Sequence, residues 1–226
     1  MTGEQTPSKD SKRRIVVAIT GASGAVYAVR LLQVLTRADL EIHLVISPSG
    51  SAVIRQELQV DVDIRNPDLP ELVGHVPAWS HCETTKSTAQ FASSQIQNRI
   101  RYHQYDDFMT PIASGSFRTR AMVVCPCSGS TLSGIARAAG SNLIQRAAEV
   151  HLKEHRKLVL VPRETPLSVL QLENMHRLAA AGAVVLPAMP GWYHGVKSLD
   201  SIVDFVVSRI LDQLEVDNDL MKRWGE

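Results

Sequence analysis

Arg163 and Glu164 stand side by side in the run Val161-Pro162-Arg163-Glu164-Thr165-Pro166-Leu167-Ser168, fenced by two prolines. The preceding Lys157-Leu158-Val159-Leu160-Val161 is a short apolar run, the pattern of a buried strand. Proline stiffens the backbone and removes N–H donors, so this is not the composition of a tight structural turn. It is a rigid loop presenting one cation and one carboxylate at a strand end, where parallel sheets bind their ligands. Such a pair suits work on an anionic substrate, with Glu164 as proton donor or acceptor.

The elements that must position this pair alternate along the chain. Five segments read as buried strands: Arg14 to Thr20, Glu41 to Ser47, Ala121 to Cys125, Lys157 to Val161 and Ala183 to Leu186. Helical patterns lie between them. Ala25 to Thr36 carries Val26, Val29, Leu32 and Leu35 on one face. Ser49 to Leu58, Thr131 to Ala139, Asn142 to His155, Ser168 to Ala181 and Leu199 to Leu214 complete the set. The alternation predicts an α/β fold: a three-layer, doubly wound, mostly parallel sheet of Rossmann-like or flavodoxin-like type. Residues 13–226 read as a single domain, and the polar stretch from Met1 to Lys12 as a disordered tail. Residues 60–112 break the rhythm. They are polar, weakly periodic and interrupted by Pro67, Pro70 and Pro77. They read as an insertion with a short strand near His75 to Trp79, a helix near Gln90 to Tyr102, and a role in assembly or as a lid. The segment after Asp217 is expected to dock through Trp224.

Composition narrows the function classes. A formal net charge of +1 argues against a bulk nucleic-acid binder. No apolar run approaches the ~20 residues of a membrane span. The three cysteines Cys82, Cys125 and Cys127 make no disulfide framework, which fits a reducing cytoplasm. No metal is expected: His81-Cys82-Glu83 has no second ligand cluster to complete a site.

Each predicted strand empties into an unusual loop. Thr20-Gly21-Ala22-Ser23-Gly24-Ala25 opens a helix, so Gly21, Ala22 and Ser23 are candidates for a phosphate or flavin contact at a helix N-terminus, or else for a plain tight turn. The third glycine of a dinucleotide fingerprint is missing, and Ser47 ends the second strand where a ribose-binding acid would stand. Ser47 is a candidate ligand contact and Ser49 a candidate N-cap; Glu57, in the following helix, reads by default as a solvated carboxylate. Pro126-Cys127-Ser128-Gly129-Ser130-Thr131 supplies hydroxyls and a glycine before a helix, an uncharged hydrogen-bonding cradle. Cys125 and Cys127 read as packing residues, because no base is paired with them. Arg146 and Lys153, seven residues apart on one helix face, are either a solvated basic surface or cations pointing into the cleft beside Arg163. Tyr193 and Trp192 sit in the Pro187 to Gly195 loop, and Arg209 lies on the last helix. Together these loops should form one cleft at the C-terminal edge, lined by hydroxyls, cations and a buried acid.

With these residues in view, the chain resembles the UbiX-type flavin prenyltransferases, within the flavin-binding cysteine decarboxylase fold group. The resemblance rests on Gly21-Ala22-Ser23-Gly24-Ala25, Ser114-Gly115-Ser116-Phe117, Pro126-Cys127-Ser128 with Thr131-Leu132-Ser133-Gly134, Arg146-Ala147-Ala148-Glu149-Val150 with Leu152-Lys153-Glu154, Pro162-Arg163-Glu164-Thr165-Pro166-Leu167, and Phe205-Val206-Val207 with Arg209. It implies metal-independent transfer of a dimethylallyl group from dimethylallyl monophosphate to N5 and C6 of reduced FMN. The product would be the prenylated FMN used by a UbiD-type decarboxylase, as in ubiquinone biosynthesis. It implies FMN contacts at Gly21, Ala22, Ser23, Ser47, Cys127, Ser128, Gly129, Ser130 and Arg146. Substrate-phosphate contacts would be Lys153, Arg163, Glu164, Tyr193 and Arg209, with Ser23 and Glu57 handling protons. It also implies a homo-oligomer, typically a dodecamer. Gly129 and Ser130 depart from the family, which carries a bulkier Met or Ile and then Gly or Lys. The competing readings are an FMN-dependent cysteine decarboxylase of the same fold and a non-enzymatic flavin carrier.

Overall fold

The computed structural model describes residues 13–80 and 93–225. Six parallel strands form one open sheet in the order β3-β2-β1-β4-β5-β6. They are β1 Arg14–Ile19, β2 Glu41–Ile46, β3 Ile100–His103, β4 Ala121–Cys127, β5 Lys157–Pro162 and β6 Val184–Val185. The described helices are α1 Ala25–Leu35, α2 Pro48–Leu58, α3 Leu69–Gly74, α4 Ser93–Arg99, α5 Gly129–Ala136, α6 Leu143–Lys153, α7 Val169–Ala180 and α8 Leu199–Gln213.

Side-chain alternation along the strands divides the interior in two. Ile15, Val17 and Ile19 of β1 join Ile42, Leu44 and Ile46 of β2 and pack under α1 and α8. Val16 and Ala18 face the other way, with Met122, Val124, Leu158 and Leu160, and pack against Ile144, Ala147 and Leu178 of α6 and α7. The apolar strands are covered on both faces, as expected of a doubly wound sheet. No described helix is long and apolar enough to cross a membrane.

Polar residues set where the helices begin. Ser47, Asp68, Ser128, Asn142, Ser168 and Ser198 each cap a helix with a side-chain oxygen. The cap of α2 is therefore Ser47 and not Ser49, and the helix starts at Pro48, whose missing N–H costs nothing in the first turn.

Residues 60–112 are more than an excursion. Ile100–His103 pairs with Ile42–Val45 as the sheet's edge strand, where a helix extending to Tyr102 was expected. No strand forms at His75 to Trp79; at its start the Gln33 amide binds the carbonyls of Val73 and His75 at 3.0 and 2.9 Å. Val60, Val62, Leu72, Val73 and Ile96 join the main core. The expected tail over 1–12, the His81-Cys82-Glu83 run and the start of the Gln90 helix lie outside the described residues.

The α1–α8 contact carries a buried ion pair, Arg30 Nε to Asp204 Oδ1 at 2.6 Å, with side chains 5% and 10% exposed. Burial raises the Asp204 pKa in spite of the guanidinium, so desolvation outweighs the attraction. Asp204→Ala leaves Arg30 without that carboxylate and should lower the unfolding free energy by about 3 kcal/mol in urea titration; a loss under about 1 kcal/mol would mean that the pair is well solvated.

Candidate functional site

Thr20 closes the C-terminal edge of the sheet. Its buried hydroxyl donates to the Pro126 carbonyl at 2.7 Å and accepts the Ser128 N–H at 2.8 Å. The Gly21 turn after β1 and the Ser128 turn after β4 are thereby held together. Sequence reasoning treated Thr20 only as a strand end; the available signal was a hydroxyl directly before the Gly-Ala-Ser-Gly turn. Gly21 is needed for close approach, since a Cβ there would lie 2.5 Å from the Ser49 Cβ. Gly24 is needed for its φ of 116°, and begins α1.

The N-terminus of α1 is already engaged. Glu57 reaches over from α2 and accepts the N–H of Gly24 at 2.9 Å and of Ala25 at 2.8 Å. It is thus not a plain solvated carboxylate. It satisfies two orphan donors and meets the positive end of the helix dipole, where an external anion was expected. Ser23 is exposed beside this cap, and its carbonyl accepts Arg163 Nε at 3.2 Å. Ser47 is buried, accepts the Gly50 N–H at 3.0 Å and shares a hydrogen bond with Ser49.

The β4 loop supplies the hydroxyl cradle. Ser128 Oγ lies 3.1 Å from Ser130 Oγ and 3.0 Å from Thr131 Oγ1. Gly129 is bare where a Cβ would come within 3.0 Å of Gln171 Nε2, the residue that completes the α7 capping box with Ser168. β4 runs on to Cys127, and that side chain is 1% exposed in the core. Cys127 therefore has only its main chain to offer a ligand. Burial pushes its thiol up to about 12 and raises Cys125 as well, so both are packing residues.

Arg163 and Glu164 end β5. Arg163 is half-buried and Glu164 is exposed, so the acid is not the buried one expected. With Leu167, Met175, Ala188 and Met189 they line a hollow of about 320 Å³. The Ala188 N–H donates to the Pro162 carbonyl at 3.0 Å and ties the β6 loop to the β5 loop.

The other expected cations lie elsewhere in the chain. Arg146 donates to the Ala113 carbonyl at 3.1 Å, and Lys153 Nζ lies 2.6 Å from Glu154 Oε1. Both border the 111–117 segment: a Cβ on Gly115 would sit 2.7 Å from Lys153 Nζ. They do not point into the cleft beside Arg163. For Lys153 the reason is topological. α6 ends at Lys153, next to the start of β5, while Arg163 follows its far end, and six strand residues span about 20 Å. Ser114 to Phe117 belongs with this patch, although the sequence assigned it no role. Tyr193 forms a third patch. Its ring meets Phe205 and Trp224 edge-on at 5.8 and 5.1 Å. Arg209 stands one turn after Phe205 and pairs with Asp212 at 2.7 Å, the same carboxylate that holds Arg223 at 2.8 Å. The C-terminal segment thus docks through both Arg223 and Trp224.

Hydroxyls, bare glycine backbone and one cation make an edge suited to the phosphate, ribityl chain and ring of a flavin. Among the described residues, no group of three or more His, Cys, Asp or Glu side chains is placed to hold a metal. Glu57→Ala should lower the unfolding free energy by about 1 kcal/mol, the value of a lost helix cap, measured by urea titration. Iodoacetamide at pH 8 should leave the peptide carrying Cys125 and Cys127 unmodified by mass mapping; rapid alkylation there would contradict the burial.

The family model described as Flavoprotein matches residues 4–211. The flavin prenyltransferase UbiX of Halalkalibacterium halodurans is 45% identical over 210 residues, covering 93% of this chain and 92% of the relative. That of Pseudomonas aeruginosa is 45% identical over 213 residues, covering 94% of each. Among solved structures, AnUbiX (PadA1) in complex with FMN and dimethylallyl pyrophosphate superposes with a TM-score of 0.74 at 36% identity, covering 95% of this chain and 98% of that one. A dodecameric FMN-dependent UbiX-like decarboxylase from Escherichia coli O157:H7 gives 0.74 at 37%, covering 94% and 100%. The peptidyl-cysteine decarboxylase EpiD, at 14% identity and 0.52, shares the fold alone. With a Thr20-closed flavin-type edge and near-full-length likeness on both comparisons, this chain belongs to the flavoprotein family, among the UbiX flavin prenyltransferases.

Proposed function

We propose that residues 13–226 act as one metal-independent flavin prenyltransferase domain that joins the dimethylallyl group of dimethylallyl monophosphate to N5 and C6 of reduced FMN. The observation that carries the reading is the Arg163–Ser23 hydrogen bond of 3.2 Å, which ties the cation–acid loop of β5 to the Gly21–Ser23 turn on one sheet edge. Reduced FMN, when bound, supplies the nucleophilic nitrogen and the ring carbon. Gly21, Ala22, Ser23, Ser47, Ser128, Gly129, Ser130 and the main chain of Cys127 would hold it, with Arg146.

The reading gives each remaining side chain a task. A departing phosphate needs its charge held, and Arg163, Lys153 and Arg209 are the cations for it. Glu164 protonates the leaving phosphate and then takes the ring proton, and the Tyr193 hydroxyl donates to a phosphate oxygen. Ser23 on the α1 turn relays protons, and Glu57, reaching over from α2, holds that turn in shape. Apolar Leu167, Met175 and Met189 help to keep water from an allylic cation. The cysteine decarboxylase reading is less favoured, since both described thiols are buried and His194 is turned toward the Ser201 carbonyl at 3.1 Å.

Lys153 and Arg163 occupy opposite ends of β5, so a site that uses both draws on more than one copy. A homo-oligomer, as in the dodecameric Escherichia coli relative, meets that need. We place the protein in the cytoplasm and take a UbiD-type decarboxylase as recipient of the prenylated FMN.

Anaerobic incubation with reduced FMN and dimethylallyl monophosphate should yield a flavin heavier by one prenyl unit in mass spectrometry; an unchanged flavin mass would sink the reading. Glu164→Gln should keep FMN affinity while turnover falls on the order of 10²-fold, the usual worth of a general acid–base group. Unchanged turnover would remove Glu164 from the mechanism.

A further inference from the structure

Arg156 lies in the turn between α6 and β5 and is half-buried. Its guanidinium makes three contacts with one segment: to the Gly115 carbonyl, to the Phe117 carbonyl at 2.8 Å and to Thr119 Oγ1 at 3.4 Å. The Thr119 hydroxyl is buried and lies 2.8 Å from His151 Nε2. His151 Nδ1 is 2.7 Å from the Ala147 carbonyl.

The direction of this chain of bonds follows from chemistry. A carbonyl only accepts, so Nδ1 of His151 carries a proton. Burial lowers the imidazole pKa to about 4, so at neutral pH Nε2 is a bare acceptor. Thr119 therefore donates to His151, and its oxygen keeps a lone pair for Arg156. The brace runs from Arg156 through Thr119 and His151 into the α6 backbone, with each buried polar atom in it partnered.

What the brace holds is the turn beneath Lys153. Gly115 is the residue on which the Lys153 ammonium rests: a Cβ there would meet Lys153 Nζ at 2.7 Å and Glu154 Oε1 at 2.3 Å. On either side Ser114 Oγ and Ser116 Oγ are 2.9 Å apart. Phe117 is held by the Arg14 guanidinium 4.6 Å above its ring and by His43 edge-on at 5.1 Å. The Gly115 carbonyl is thus pulled toward Arg156 while the other side of the residue abuts the Lys153–Glu154 pair, whose carboxylate also lies 3.8 Å from the Arg156 guanidinium.

We propose that Arg156 is a positioning residue of the prenyl-phosphate site, fixing Gly115 through its carbonyl so that the Ser114–Ser116 turn and Lys153 present one anion-binding surface. Thr119 and His151 form the buried end of the brace. The proposal rests on the reading of Lys153 as a phosphate cation. Arginine is required rather than any cation, because its planar fork reaches several acceptors at once and a lysine ammonium is a single point.

The test uses the full chain. In Arg156→Lys, the KM for dimethylallyl monophosphate should rise ~10-fold, as expected when a binding group is displaced by a fraction of an ångström. The FMN dissociation constant by fluorescence quenching should stay within about twofold, and kcat within about threefold. Thr119→Val should raise KM less, and Thr119→Ser should restore it. For Arg156→Ala, added guanidinium should lower KM toward the native value. Unchanged KM in Arg156→Lys overturns the proposal. So does a rise in KM matched by equal losses in FMN affinity and melting temperature, which would mark a merely structural contact. Where the native protein makes no prenylated flavin, the prenyltransferase reading fails, and calorimetric titration with inorganic phosphate then decides the brace separately. Binding weakened ~10-fold in Arg156→Lys upholds it; equal binding, or none by the native protein, overturns it.

Discussion

The double hydrogen bond of the Thr20 hydroxyl is the interaction on which the site depends. A parallel sheet puts every strand end and helix start on one edge, and those turns carry backbone donors and acceptors without ladder partners. Here one buried hydroxyl serves the Pro126 carbonyl and the Ser128 N–H together. It joins the two turns that flank the middle of the sheet, β1 and β4. With that junction made, Gly21 lies against Ser49, Arg163 reaches the Ser23 carbonyl, and three loops become one wall.

The same economy of polar groups governs the rest of the edge. Glu57 occupies the start of α1 from a neighbouring helix, so an element that looked ready for a ligand anion is internally satisfied. The hydroxyls of Ser130 and Thr131 each bond that of Ser128, which caps α5. Pre-arranged donors of this kind need little reordering when a polar ligand takes over some of their bonds. The apolar strands beneath, covered on both faces, keep the edge rigid.

Charge is distributed differently. Arg163 stands with the hydroxyl edge, Lys153 and Arg146 with the 111–117 turn, and Arg209 with Tyr193 and the C-terminal segment. Separate placement lets each cation be held by its own local partners, such as Asp212 for Arg209 and Glu154 for Lys153. The exposed Lys153–Glu154 pair is of the kind that contributes little to stability.

Much of this was legible in the residues. Five of the six strands, the order of helices and the strand-end loops follow from apolar runs, period-3.6 faces and Ser or Asn caps, all of which are local signals. The Arg163–Glu164 loop announced itself by its prolines. What the residues alone left out is non-local. Ile100–His103 is a strand because β2 offers it an edge, and His75 to Trp79 pairs with no strand, its first carbonyl being bound by Gln33. The cap made by Glu57, the Thr20 junction and the Arg156 brace join positions 32 to 108 residues apart, and the sidedness of Cys127 turns on the irregularity in β4 between Val124 and Cys127. Local patterning determines which segments become strands and helices, since each segment's own periodicity selects them. Tertiary packing alone decides which polar groups meet, because a hydrogen bond depends on where the fold places its two ends and not on their distance along the chain.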